Sequence, residues 1–468
     1  MDEHRNMNIR RTGSRRRKRT RLDIFKETYL PPAIVCVALL MILVFIIGSI
    51  TRGIQRSIVK KEIAQQASIS AQHEKERLDK EAAEISSAAS ALAYGFDYDG
   101  AIALINGFSG NLSEYPELFD KKTEYELAKE TLVLWDDPNS ILSLSFHVLI
   151  EDGQRAFSNQ ELGDRYNRNF ITTAEFRLIL QQLYENQYIL VSVDDMHAEG
   201  GMHLYLPEGK KPLLLTQTNV NYYNYMTDSD GDMLADPNGA GFATKLALDA
   251  NGNITCQMVD QHGQTVIGAF DMVPILESFI ETHPDFSYRG ARAVLAVTGY
   301  EGIFGYRTNP DAVNYLGEGG YQLEQEDARD VCEKLRGLGY ELACYTYGND
   351  AYGSLTEDQI QADIERWNIE VAPILGQTDI LVFAQNSDIA PAGEAYAGRK
   401  YEILKENGFT KFLGFCNGSE SWTYAEADYM RIGRLLLTGS NLRHHALWFE
   451  AYLDPEAILD PNRGDIPA

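Results

Sequence analysis

The chain has 468 residues, 42 of them basic and 68 acidic, for a net charge of −26 with 44% hydrophobic residues. Setting aside the ten basic and four acidic side chains of the first thirty residues leaves 32 against 64, so the remainder is strongly anionic. Basic surface supplies most of the affinity for phosphate backbones, so nucleic acid is excluded as a partner. Cys256, Cys332, Cys344 and Cys416 lie outside the apolar run, too few for a disulfide scaffold, and their three pairings cannot be ranked.

Residues 1–29 form a basic tail, with Arg10, Arg11, Arg15, Arg16, Arg17, Lys18, Arg19 and Arg21 ahead of an uncharged run at 30–50. That run is about the 20 residues needed to cross hydrocarbon. Arg and Lys beside a span resist translocation, which predicts a cytoplasmic N-terminus, one transmembrane helix and an extracellular main domain. A cleaved signal peptide is the competing reading, but the run exceeds an h-region and no Ala-x-Ala follows.

From 51 to 135 the sequence predicts a helical stalk and a helix-turn-helix neck. Residues 58–92 are rich in Ala, Glu, Lys and Gln without proline. Gly95 then breaks one helix and Asp97 caps the next, in the manner of a tetratricopeptide-type pair. One such unit is no array, which needs about three to bury a core.

At 136–468 the pattern becomes short β-rich runs alternating with amphipathic helices. Strands are expected at 141–150, 188–193, 212–220, 293–297, 340–345, 379–383 and 411–415, with helices at 172–185, 323–338, 356–371 and 394–407. This alternation implies an α/β fold with a largely parallel sheet, open or closed as a barrel.

Several stretches carry a family resemblance: Phe146-His-Val-Leu-Ile, Thr173-Ala-Glu-Phe-Arg-Leu-Ile-Leu, Lys211-Pro-Leu-Leu-Leu-Thr-Gln-Thr-Asn-Val-Asn-Tyr-Tyr, Val273-Pro-Ile-Leu-Glu-Ser-Phe, His283-Pro-Asp-Phe-Ser-Tyr, Thr298-Gly-Tyr-Glu-Gly and the paired Leu-Asp-Pro at 453 and 459. On these the chain resembles the polysaccharide deacetylase (NodB-homology) family, in the membrane-anchored Gram-positive form with a helical neck. The resemblance implies a distorted (β/α) barrel that removes acetyl groups from cell-wall or capsular polysaccharide. It also implies a divalent metal held by an Asp and two His spaced H-x-x-x-H, with a second Asp as base; such a metal lowers the pKa of its water and polarises the acetyl carbonyl.

Aligned on that pattern, the base position holds Thr218 and the metal positions hold Asn219, Tyr345 and Asn349. Carboxamides and a phenol are poor ligands for a hydrolytic dication, and no base remains. Where the family has a Pro-aromatic-Gly turn the chain reads Ala384-Gln-Asn386, and Thr438 stands where the resemblance places an Asp. The expectation is a non-catalytic relative with no metal at the family site, binding wall glycan or acting as a scaffold. The alternative is an active metal-dependent deacetylase with a non-standard site.

Other candidates remain. Asp194 and Asp195 end a predicted strand, with His147, Tyr347 and Asn386 as further pocket residues, although a strand-end Asp pair more often caps a turn. His444 and His445 are neighbours, and strand neighbours point to opposite faces. Asp228, Asp230 and Asp232 alternate, and Asp236 follows after a short gap, in a Gly-containing loop that suits calcium as a cofactor or, equally, a solvated acidic hairpin. Tyr222, Tyr223, Tyr300, Tyr345 and Tyr347 could stack on sugar faces or pack the barrel.

Overall fold

The computed structural model describes residues 21–22, 30–197, 204–228, 239–416, 418 and 420–467. It comprises two compact units, Met1–Glu81 and Ala82–Ala468. In the first, the helix that begins at Leu30 carries side chains that stay exposed through the apolar run, Phe45 to 72%. Among the described residues one helix, Ile34–Tyr94, is long and apolar enough to cross a membrane.

The second unit opens with the neck. The long helix ends at Tyr94, and Asp97 accepts the Gly100 N–H at 3.1 Å to start helix Tyr98–Asn106, as the sequence predicts. Helix Pro116–Glu130 returns alongside, with Tyr125 and Ser90 hydroxyls 3.3 Å apart. Arg289 ties the neck to the domain through Asp97 at 3.4 Å.

Each of the seven predicted strand segments contains a strand. They are β1 (Leu142–Phe146), β2 (Tyr188–Leu190), β3 (Lys211–Thr218), β4 (Val294–Val297), β5 (Glu341–Cys344), β6 (Ile380–Val382) and β7 (Lys411–Phe415), followed by β8 (Met430–Leu436). The parallel order is β7-β6-β5-β4-β3-β1-β8, and β8 pairs back onto β7 from Lys411↔Met430 to Phe415↔Arg434, closing a seven-stranded barrel. The eighth strand, β2, touches only the start of β3, at 211–213, after which β4 takes its place at 216–218. That handover is the distortion of the (β/α) barrel.

Side chains alternate across each strand. Leu214, Val294, Ala296, Ala343, Val382 and Ile432 fill the interior, while Leu213, Leu215, Leu295, Leu342, Leu381 and Phe412 face the helices. Helices Thr173–Glu185, Val313–Leu338, Glu357–Glu370 and Arg399–Glu406 cover the barrel. Thr172 with Glu175, and Thr356 with Gln359, form capping boxes that fix two of these starts. The last helix begins at Arg399 rather than 394, because Gly398 at φ +85° breaks the backbone before it. A three-stranded antiparallel sheet (Lys245–Leu248, Ile254–Val259, Thr265–Gly268) is inserted between β3 and β4.

The C-terminal segment is locked on by Arg463, whose guanidinium meets Glu175 at 2.7 and 3.0 Å and Asn167 Oδ1 at 2.8 Å, all buried. Cys256, Cys332, Cys344 and Cys416 are buried and unpaired.

Candidate active-site mouth

The strands end together at one mouth, where βα loops carry function in barrels of this kind. Thr218 closes β3; its hydroxyl donates to the Phe146 carbonyl at 3.2 Å and lies 2.9 Å from His147 Nδ1. The imidazole tautomer sets which of the two groups donates in that contact. Most of the ring is buried. Desolvation, then the charges of Arg434 and Arg165, hold its pKa down to about 4.

Asn219 follows in left-handed backbone, φ 56°, and its Oδ1 accepts the Tyr223 hydroxyl at 3.0 Å. The Thr298 hydroxyl, 2.8 Å away, completes that contact. Across the mouth, the carboxylate of Asp363 accepts the backbone N–H groups of Tyr347 at 2.7 Å and Gly348 at 2.8 Å. The Tyr352 hydroxyl donates to the same group at 2.7 Å. This turn presents Asn349 at φ 60°, whose carbonyl accepts Gln385 Nε2 at 2.7 Å and so docks it beside Asn386, φ 55°.

Asn219, Asn349, Asn386 and His147 thus line one cavity of about 450 Å³, with Tyr223 and Tyr300. Tyr300 is 61% exposed and stands on the rim. Thr346 at φ 60° and Tyr222 at φ 49° also belong to these loops. Left-handed backbone in a β-branched or bulky residue is strained, and strain gathers at functional sites. Tyr345 is buried beneath the lining, beside Thr218, with burial raising its pKa against the opposing charge of Arg434.

No family model matches the chain, and no curated protein does. Solved structures similar to the chain include two deacetylases. The Streptococcus pyogenes deacetylase PplD in complex with acetate is 13% identical with a TM-score of 0.36, over 69% of this chain and 100% of that one. A de-N-acetylase from Aggregatibacter actinomycetemcomitans is 12% identical with a TM-score of 0.35, over 64% of this chain and 95% of that one. The barrel assignment rests on strand order and closure, not on these likenesses.

Other lining residues escaped sequence reading: Arg165, Asn169, Phe170, Tyr225 and Leu436. Arg165, Asn169 and Phe170 belong to a short helical segment, Gly163–Asn169, and its exit between β1 and helix Thr173–Glu185, where no periodicity marks them. Leu436 lies on β8, which the sequence did not mark as a strand.

Four sets of candidates do not line the mouth. Asp194 and Asp195 do not reach the mouth; they lie at the opposite end of the barrel, because β2 stops at Leu190 and pairs only with the start of β3. There Ser192 and Asp195 form a capping box, and Asp194 pairs with Lys411 at the start of β7. The same end holds a polar cavity of about 470 Å³ in which burial, reinforced by Asp194, raises Glu341 to about 7. Tyr347 is a packing residue: its hydroxyl bonds Glu370, and Arg366 lies 4.0 Å over its ring. Tyr222 likewise is buried, donating to Asp271, a carboxyl pushed up to about 6 by burial. His444 and His445 lie at the end of the helix Gly439–His444 rather than on a strand; His444 bonds the Ile466 carbonyl at 2.9 Å and His445 stacks on Trp448.

Asp230, Asp232 and Asp236 lie outside the described residues; Asp228 ends the short helix Asn224–Thr227. Among the described residues no three His, Cys, Asp or Glu side chains are grouped to hold a metal ion. The positions that the sequence resemblance assigns to a metal supply two carboxamides and a buried phenol, a donor set that does not fit a hydrolytic dication.

Proposed function

We propose that this protein is a membrane-anchored, polysaccharide deacetylase-like protein that binds acetylated cell-wall or capsular glycan outside the cytoplasm without hydrolysing it through a metal. The observation that carries the reading is the lining of the mouth. Amides of Asn219, Asn349 and Asn386 offer paired donors and acceptors suited to hydroxyl and N-acetyl groups. Tyr223, Tyr225 and Tyr300 offer flat apolar faces for sugar rings. Thr218 stands at the family's base position with its hydroxyl spent on Phe146 and His147. The uncharged run at 30–50 behind its basic tail supports the anchor and its orientation.

The test uses the full chain in detergent with N-acetylated chitooligosaccharide. Saturable binding that weakens at least tenfold in Tyr223→Ala, with no acetate released on adding zinc, cobalt or manganese, supports the reading. Chelator-sensitive acetate release overturns it. The alternative is an active metal-dependent deacetylase with a non-standard site that draws on His147; acetate release that a chelator stops and His147→Gln abolishes would establish it.

A further inference from the structure

The mouth's charge runs against that of the chain. The protein carries a net charge of −26, yet no carboxylate lines the cavity among the described residues, and its one lining cation is Arg165. Arg165 is exposed and lies 5.6 Å from the centroid of the Tyr225 ring. None of the ion pairs among the described residues involves it.

A second guanidinium lies under the floor. Leu436 lines the cavity and Arg434 is two residues earlier on β8, so both point the same way, one pleat of about 7 Å apart. Arg434 is buried and bonds only uncharged acceptors: Gly414 O at 2.9 Å, Ser145 Oγ at 3.0 Å and Phe383 O at 3.1 Å. Asp388 is engaged by Arg431 at 2.9 Å. Glu301, behind the tyrosines, accepts the Asn224 N–H at 2.7 Å and pairs with Arg307 at 3.6 Å. Two positive charges therefore act on one cavity whose other described lining residues carry no charge. A buried charge without a counter-ion is costly, and a ligand anion would supply one. His147 reports the same field, since both arginines disfavour its protonation.

We infer that the saccharide taken by this mouth is anionic, with a carboxylate or phosphate placed against Arg165 and N-acetyl or hydroxyl groups against Asn219, Asn349 and Asn386. The inference rests on the carbohydrate reading above. A charge-assisted hydrogen bond to a guanidinium, in a cavity partly shielded from solvent, is worth on the order of tenfold in affinity. It weakens as salt screens the exposed partner.

Calorimetric titration of the full chain in detergent with three probes tests it: neutral N-acetylated chitooligosaccharide, an N-acetylated oligosaccharide of equal length containing glucuronate, and N-acetylglucosamine 1-phosphate. The expected result is that one or both charged probes bind about tenfold or more tighter than the neutral one at low salt. The margin should collapse in Arg165→Gln and be partly kept in Arg165→Lys. Whichever charged probe binds tighter identifies carboxylate or phosphate. Equal affinity for neutral and charged probes, or a margin unchanged in Arg165→Gln, overturns the inference while leaving glycan binding intact. Failure of all three to bind removes both.

Discussion

His147 should make the folded domain acid-sensitive in a way that one substitution removes. The ring is held neutral by burial and by the arginines at 165 and 434, with a folded pKa of about 4 against 6.5 in the unfolded chain. Above pH 6.5 the imidazole is neutral in both states and makes no difference. Below it the unfolded chain takes up a proton that the folded site refuses until about pH 4, so stability is lost as pH falls. At roughly 1.4 kcal/mol per pKa unit the full effect is about 3 kcal/mol, of which about 2 kcal/mol is reached by pH 5. Asp271 and Glu341, with pKa values raised to about 6 and 7, act in the opposite sense, because their folded forms take up protons before the unfolded ones do. The quantity to measure is therefore the difference between wild type and His147→Gln in the unit Ala82–Ala468. Urea unfolding followed by tryptophan fluorescence at pH 8 and pH 5 gives it, and the variant should lose about 2 kcal/mol less than wild type over that interval. Parallel losses in the two proteins would mean that His147 titrates like a solvated histidine, and the buried, positively biased mouth would be wrong.

Glu175→Gln leaves the buried Arg463 without its counter-charge, and urea midpoints should report a loss of about 3–5 kcal/mol; a midpoint unchanged within error would show the pair to be dispensable. Gly302 sits at φ +97° with a would-be Cβ 2.0 Å from the Tyr306 carbonyl, so Gly302→Ala should cost more than about 1 kcal/mol. That variant should also weaken saccharide binding, since the same loop carries Tyr300. Asp363→Asn removes a charged acceptor from two backbone N–H groups and the Tyr352 hydroxyl, at about 2 kcal/mol. Calorimetry should show reduced affinity as Asn349 loosens, and full affinity would disconnect that turn from the site.

The alternation of β-rich runs with amphipathic helices was readable because each strand is buried on both faces and each helix on one. That placed seven strands without tertiary knowledge. The eighth, β8, was hidden by its two arginines: Arg431 and Arg434 look like surface charge in sequence, and only closure against β7 buries them. The insertion from Lys245 to Gly268 shows its turn residues, Asp249 to Gly252 and Asp260 to Gly263, but its short strands pair antiparallel with one another, outside the strand–helix alternation that marks the barrel.

The mouth divides in the same way. Asn219, Asn349 and Asn386 were named through the family resemblance, and each follows a legible strand; strand ends in a parallel barrel share one face. Asp194 and Asp195 satisfied that rule too and still went to the other end, because the level of β2 against β3 is fixed by pairing that no local pattern encodes.

Taken alone, the sequence determined the apolar run behind a basic tail, the α/β alternation, and the neutral residues at positions where the resemblance expects acids and imidazoles. These are properties of composition and local period, which a linear chain displays in full. Tertiary structure decided which strand closes the barrel, that Arg434 lies without a counter-ion under the floor, and that Arg165 stands over the same cavity from a loop remote in sequence. Burial and field are sums over neighbours brought together by folding, and no stretch of the chain contains them.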